Sequence, residues 1–254
     1  MSDVLIDRDG PFTTITMDRP RRRNALSRAF LLELTAAFEE VAATDALGVV
    51  LAANGPVFSA GHDFGDMAGA GHADVRELLR TCTRLLETIQ SAPQVVVARV
   101  HALATAAGCQ LVASCDLAVA AESAGFAVPG GKGGWFCHTP MVAVARNVGR
   151  KRAVEMALTG DVVDARTAAD WGLINYAVPD GELGKATRDL LERATRGSAR
   201  SKALGKQALY AQLDRPERDA YTYAIEVMAA SSQTPEAQEG MTAFLEKRHP
   251  DWPA

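Results

Sequence analysis

The residues best suited to chemistry run from Val100-His101-Ala102-Leu103-Ala104-Thr105-Ala106-Ala107-Gly108-Cys109-Gln110-Leu111 to Cys115-Asp116. A β-rich run, Val95 to Val100, feeds small residues that open onto a short helix. Small residues at such a junction let a ligand approach the backbone, and free amides at a helix start hold developing negative charge. Ala106-Ala107-Gly108 also suits plain close packing of helix on sheet. A second group is Ser59-Ala60-Gly61-His62-Asp63. His62 titrates in the useful range, although its side chain also suits packing or capping, and Asp63 suits a turn cap. A third group is Gly130-Gly131-Lys132-Gly133-Gly134-Trp135-Phe136-Cys137-His138. Its glycines lack the G-x-x-x-x-G-K-[ST] spacing of a phosphate loop. They read as a mobile pocket wall, with Trp135 and Phe136 either lining the pocket or filling core.

Composition narrows the classes. The 254 residues can bury a sizeable core as one or two domains, and 48% apolar with 23% charged residues is ordinary for a soluble globular chain. The net charge of −4 gives no reason to expect nucleic acid as a partner. The basic cluster Arg19 to Arg23 reads as a solvated turn. No apolar run approaches the ~20 residues of a membrane span, and Met1-Ser2-Asp3 does not open a signal peptide. Cys82, Cys109, Cys115 and Cys137 show no C-x-x-C spacing, so reduced, packed thiols in a cytoplasmic protein are expected. The histidines and cysteines form no ligand-spaced cluster, so no metal is expected.

The elements that must position these residues follow from periodicity. Val4 to Asp7 and Phe12 to Met17 read as strands joined at Asp9-Gly10. Ser27 caps a helix to about Ala43, with Phe30, Leu31, Leu34, Phe38 and Val41 on one face. Strands are expected at Gly48 to Ala53, Gln94 to Val100 and Leu117 to Ala121, with an extended piece at Phe126 to Val128. Helices are expected over Ala73 to Gln90 and from Ala106. This alternation implies a mostly parallel sheet with right-handed crossovers. Beyond Pro140 the chain reads as helical, interrupted by one strand at Leu173 to Val178. Three last helices cover about Ser198 to Leu213, Arg215 to Ser231 and Pro235 to Lys247, the third capped by Thr234-Pro235.

Five stretches in register carry a resemblance. The 101–110 segment resembles N-G-x-A-x-G-G-G-x-E, with His101 for Asn, Ala102, Ala106 and Ala107 for Gly, and Gln110 for the last Glu. Phe58-Ser59-Ala60-Gly61-His62-Asp63-Phe64 matches F-[SC]-A-G-x-D-[LIF]. Arg19-Pro20-Arg21-Arg22-Arg23-Asn24-Ala25-Leu26-Ser27 matches R-P-x-x-R-N-A-L-[ST]. Ala153 to Gly160, continuing to Ala168 to Ile174, and Glu239 to Arg248 complete the set. From about Val4 to Arg248 the chain resembles the crotonase (enoyl-CoA hydratase/isomerase) superfamily. Within it, the T-A-A-G-C-Q-L-V-A-S-C-D run resembles the enoyl-CoA hydratase domain-containing protein 3 group, which lacks the hydratase glutamates.

The resemblance implies an α/β fold with a crotonase-like ββα spiral core over 1–195. A C-terminal helical region over 196–254 would serve trimerisation, and trimers could pair into hexamers. It implies backbone amides of His62 and Ala107 as an oxyanion hole for an acyl-CoA or enoyl-CoA thioester, with coenzyme A part of the substrate and no further cofactor. Arg23, Ala25, Ala60, His62, Asp63, Phe64, Phe244 and Lys247 fall on CoA-binding positions. Trp135 and Phe136 fall beside the acyl pocket. The two hydratase glutamates fall on Gln110 and Gly130, neither of which moves a proton. Other members place an acid-base Asp where His138 stands, so His138 is a candidate acid or base, or a helix-entry residue that fills space. Two functions remain open. One is a lyase or isomerase that stabilises a thioester enolate. The other is a non-catalytic acyl-CoA-binding protein.

Overall fold

Side chains that alternate along parallel strands divide the interior into two cores. The computed structural model describes residues 2–252. It begins with β1 (Val4–Asp9), β2 (Phe12–Met17), α1 (Arg28–Ala42), β3 (Gly48–Ala53), α2 (His72–Ser91) and β4 (Val95–Val100). It continues with β5 (Ala104–Thr105), α3 (Ala107–Ser114), β6 (Leu117–Ala121), β7 (Gly125–Ala127), α4 (His138–Val148) and α5 (Arg150–Thr159). Then come β8 (Val163–Asp164), α6 (Ala165–Asp170), β9 (Tyr176–Val178), α7 (Leu183–Thr195), α8 (Ala199–Gln212), α9 (Glu217–Ser231) and α10 (Pro235–Glu246).

The larger sheet runs β1-β2-β3-β4-β6-β9 and is parallel except at the β1–β2 hairpin. Val49 and Leu51 of β3, Val96, Ala98 and Val100 of β4, and Ala118 and Ala120 of β6 face the main core, together with Phe30, Leu34, Phe58 and Leu85. Their neighbours Val50, Ala52, Val97, Val119 and Ala121 face a smaller core closed by Leu183, Leu190 and Leu191 of α7. This is the period of two that a strand buried on both faces requires. Gly48 lets α7 close down, because a Cβ there would lie 2.5 Å from Leu191 Cδ1.

Three details differ from the sequence reading. A small second sheet, β5-β7-β8, stands beside the first, and two of its strands are too short to show any alternation. The strand expected from Leu173 forms only at Tyr176–Val178. Asn175 holds the segment before it, accepting the Ala118 amide at 2.8 Å on its side chain and donating its own amide to Ala118 O at 2.9 Å. The last long helix pair breaks at Pro216, so α9 starts at Glu217 rather than Arg215. No helix among the described residues is long and apolar enough to cross a membrane.

Candidate active site

The site is built where the 58–63 loop is pressed against the start of α3. The Phe58 and Thr105 amides donate across to Leu103 O at 2.9 Å and Ser59 O at 3.0 Å, laying the loop beside β5. Two glycines permit the contact. A Cβ at Gly108 would sit 2.5 Å from Ser59 O, and one at Gly61 would sit 2.9 Å from Ala106 Cβ and 3.2 Å from Ala107 N. Only glycine allows backbones this close. Leu26 then brackets the next residue: its amide donates to Gly61 O at 2.8 Å, and its carbonyl accepts from Asp63 N at 3.2 Å. The bracket skips the amide of His62.

Neither the His62 amide nor the Ala107 amide donates to an acceptor among the described residues. Ala107 opens α3, where the first N–H groups have no partner within the helix. Ala106 turns the chain into that helix with φ 51° and ψ −117°. An L-residue held there costs about 1–3 kcal/mol, and the family pattern places glycine at this position. Two free amides from pieces packed against each other can receive an oxygen that gains negative charge.

Asn24 holds the arrangement from behind, a role the sequence reading did not give it. It is buried, with φ 48°. Its Nδ2 donates to the carbonyls of Asn54, Val57 and Phe58 at 2.8, 3.1 and 3.1 Å, and its own carbonyl accepts from Ser59 Oγ at 2.8 Å. The only signal in the sequence was its place in the R-N-A-L stretch.

The two positions that would carry glutamates differ physically. Gln110 lies one turn along α3 from Ala106, whose carbonyl accepts its amide at 3.0 Å. It is 4% exposed, and Oε1 has no hydrogen-bond partner among the described residues. Position 130 has no room for a side chain. A Cβ there would meet Trp135 O at 2.2 Å and Cys137 Sγ at 2.8 Å. The Gly130 amide donates to that sulfur at 3.3 Å. The loop has closed through the space a second glutamate would need.

The two candidate histidines also part. His62 is 9% exposed, and neither ring nitrogen has a hydrogen-bond partner among the described residues. Burial holds its imidazole below the ordinary range, against smaller upward pulls from the Leu26 backbone and Asp66. His138 is exposed at the first position of α4, its amide donating to Phe136 O at 2.8 Å and its ring 5.0 Å from that of Phe136, and its ring nitrogens make no hydrogen bond to a described residue.

Among the positions assigned to CoA, Arg23 and Phe64 are exposed, and Ala25 and Ala60 are half-buried. Asp63 caps the turn after it, accepting the Gly65 amide at 3.0 Å, and pairs with Arg22 at 3.0 Å. Burial pushes its carboxyl up, but the Gly65 amide and Arg22 outweigh this and leave it below the usual range. Arg19 turns inward to Asp3, Ala25 O and Ser27, while Arg21 and Arg23 pair with no described carboxylate. Phe244 and Lys247 lie elsewhere, at the end of α10. Phe244 is exposed beside a cavity of about 750 Å³ between α8 and α10. Trp135 is 43% exposed, and Phe136 packs against the main core.

Burial pushes the Cys82 and Cys109 thiols up to about 12 and raises Cys115 and Cys137, so none is a thiolate at neutral pH. No group of three or more His, Cys, Asp or Glu among the described residues is placed to hold a metal.

The architecture is that of a crotonase-type protein, and comparison with known proteins agrees. The family described as enoyl-CoA hydratase/isomerase matches residues 8–254, and the chain belongs to it. The chain is 42% identical to the enoyl-CoA hydratase domain-containing protein 3, mitochondrial, of Rattus norvegicus, over 94% of this chain and 80% of that one. A crystal structure of an enoyl-CoA hydratase from Mycobacterium smegmatis superposes with a TM-score of 0.95 at 44% identity, covering 99% of both chains. The human enoyl-CoA hydratase domain-containing protein 3 structure superposes at 0.94 with 38% identity, covering 99% of this chain and 100% of that one. The rat relative is named mitochondrial, so the cytoplasmic location expected for this chain gains no support from it.

Proposed function

We propose that the protein binds acyl-CoA thioesters and polarises the thioester carbonyl between the amides of His62 and Ala107. The observation that carries this is the pair of unpartnered amides on backbone pieces locked together by Gly61 and Gly108. Each preorganised donor of this kind typically contributes ~3 kcal/mol to an oxyanion-like transition state. Arg23, Ala25, Ala60, His62, Asp63 and Phe64 would form the near side of the CoA site. Trp135 and Phe136 would border the acyl chain. Phe244 and Lys247 would reach CoA from a neighbouring subunit of a homotrimer. The uncovered apolar side chains of α8 and α9 support such assembly.

Two-glutamate hydration does not fit these residues. Gln110 cannot take a proton, and no side chain fits at 130. A non-catalytic binding protein is therefore the second reading, and His138 is the remaining candidate acid or base for the first. A panel of acyl-CoA esters, followed by mass spectrometry with calorimetry in parallel, separates them. Turnover that falls at least ~10²-fold in His138→Ala supports catalysis. Binding without turnover supports the second reading. Absence of binding to every CoA ester overturns both.

A further inference from the structure

A small cavity lies at the foot of the larger sheet, away from the free amides. It holds about 320 Å³ between the end of α1, the starts of β3 and β4 and the start of α8. Leu47, just before β3, and Val95, the first residue of β4, border it. Ser59 and Ala104 of the candidate site follow the far ends of those strands. Gln94 lines the cavity and is 3% exposed. Its Nε2 donates to the carbonyls of Val41 and Thr44 at 3.1 and 3.5 Å. Oε1, the other arm of the amide, has no hydrogen-bond partner among the described residues. Buried polar atoms are nearly always paired, so an orphan acceptor beside a cavity marks a place for a donor.

The other groups around the cavity ask for negative charge. Ser198 caps α8, accepting the Ser201 amide at 3.0 Å. The amides of Ala199 and Arg200, the first two of that helix, donate to no described acceptor, and both residues line the cavity. A helix start of this kind favours an anion. Lys202 lines the cavity too, half-buried and paired with no described carboxylate. Lys206, one turn further along the same face of α8, fixes the direction of that face, because its Nζ donates to the Gln94 carbonyl at 2.9 Å. Arg200 comes only within 3.7 Å of Glu236. Asp45, a carboxylate on the rim, is paired with Arg8 at 2.7 Å.

Two requirements therefore meet in one small space: a donor for Gln94 Oε1, and negative charge for Lys202 and the helix start. An oxyanion that still carries a proton meets both. Hydrogen phosphate is such an ion near neutral pH. Sulfate has the same shape and charge but no proton, so it leaves Gln94 unpaired and sets oxygen against oxygen. We propose that this cavity is a hydrogen phosphate site. The phosphate O–H donates to Gln94 Oε1, and the other oxygens accept from the Ala199 and Arg200 amides and from Lys202. Bound there, the anion links the start of α8 to the end of α1 and the start of β4. The proposal does not depend on the thioester reading.

The test is calorimetric titration of the whole protein with sodium phosphate and with sodium sulfate at pH 7.5 and matched ionic strength. Phosphate is expected to bind at least ~10-fold tighter than sulfate, the effect of one net hydrogen bond to a buried acceptor. The Lys202 side chain makes no hydrogen bond to a described residue, so Lys202→Gln removes charge without breaking a contact. That variant should bind phosphate at least ~10-fold more weakly. Arg23→Gln, beside the 58–63 loop, should leave phosphate affinity within about twofold of the parent value. Equal affinity for the two anions in the parent protein overturns the proposal and needs no variant to be read. So does the absence of phosphate binding. Binding that is lost in Arg23→Gln and kept in Lys202→Gln places the anion elsewhere and overturns it as well.

Discussion

All eight residues of α3 are buried, whereas none of the 14 residues of α8 or the 15 of α9 is. The contrast separates a helix positioned entirely by its own chain from helices that lack a covering. Around α3, Gly108 rests on Ser59 and the Ala106 amide donates to Ala127 O at 2.8 Å. Nothing comparable among the described residues covers Leu209, Leu213, Tyr221, Ile225 and Met228, all more than half exposed. A buried polar cluster ties α8 to the core. Lys206 Nζ lies 2.7 Å from Asp116 Oδ2 and donates to the carbonyls of Ile89 and Gln94 at 3.0 and 2.9 Å. Asp116 also accepts from Tyr210 Oη at 2.8 Å and from the Val96 amide at 2.7 Å. Ile89 O lies in the last turn of α2, where carbonyls lack helical partners and the dipole favours a cation. Burial pushes the Asp116 carboxyl up, with Lys206 opposing it first.

The largest expected effect comes from cutting that tether. Lys206→Met leaves Asp116 buried without its cation, a loss of about 3–5 kcal/mol. Hydrogen exchange should show α8 to α10 losing protection before α3. Equal loss in both regions would break the contrast. Next is the filled space at Gly130. Gly130→Ala puts a methyl where Trp135 O would be 2.2 Å away, and overpacking of this kind costs about 1–3 kcal/mol. Urea unfolding checks it. A consequence is that adding Glu at 110 and 130 together should damage the loop rather than restore a hydratase.

A pH effect is expected in the site region. The His62 imidazole is held below its ordinary value in the folded chain. The folded state therefore binds fewer protons there than the unfolded state. Its contribution is fully present above the unfolded value of ~6.5 and is lost as pH falls below it. Melting temperatures from pH 7.5 to 5.5 should fall more steeply in the parent protein than in His62→Phe. The smallest effect is a gain. Ala106→Gly relieves the φ of 51° and should stabilise the protein by about 1 kcal/mol, read from thermal melts.

The same contrast explains what was legible in the sequence. The parallel sheet, the Ser27 cap and the long helices follow from periodicity because each element repeats its pattern for several residues. The free amides were reachable only through the motifs, since a backbone donor leaves no side-chain signature. The filled space at Gly130 was not legible. A glycine reports a missing side chain, but only coordinates show Trp135 and Cys137 occupying its place. The tether was equally hidden, because Asp116 and Lys206 lie far apart in the chain and neither belongs to a spaced pattern.

The most direct measurement of the central claim is the infrared stretch of a thioester carbonyl labelled with carbon-13 in butyryl-CoA. Two amides donating to that oxygen lengthen the C=O bond, so the band should move to lower frequency when the ester binds. Binding shown by calorimetry with the band left at its free-ester position would contradict the hole formed by His62 and Ala107.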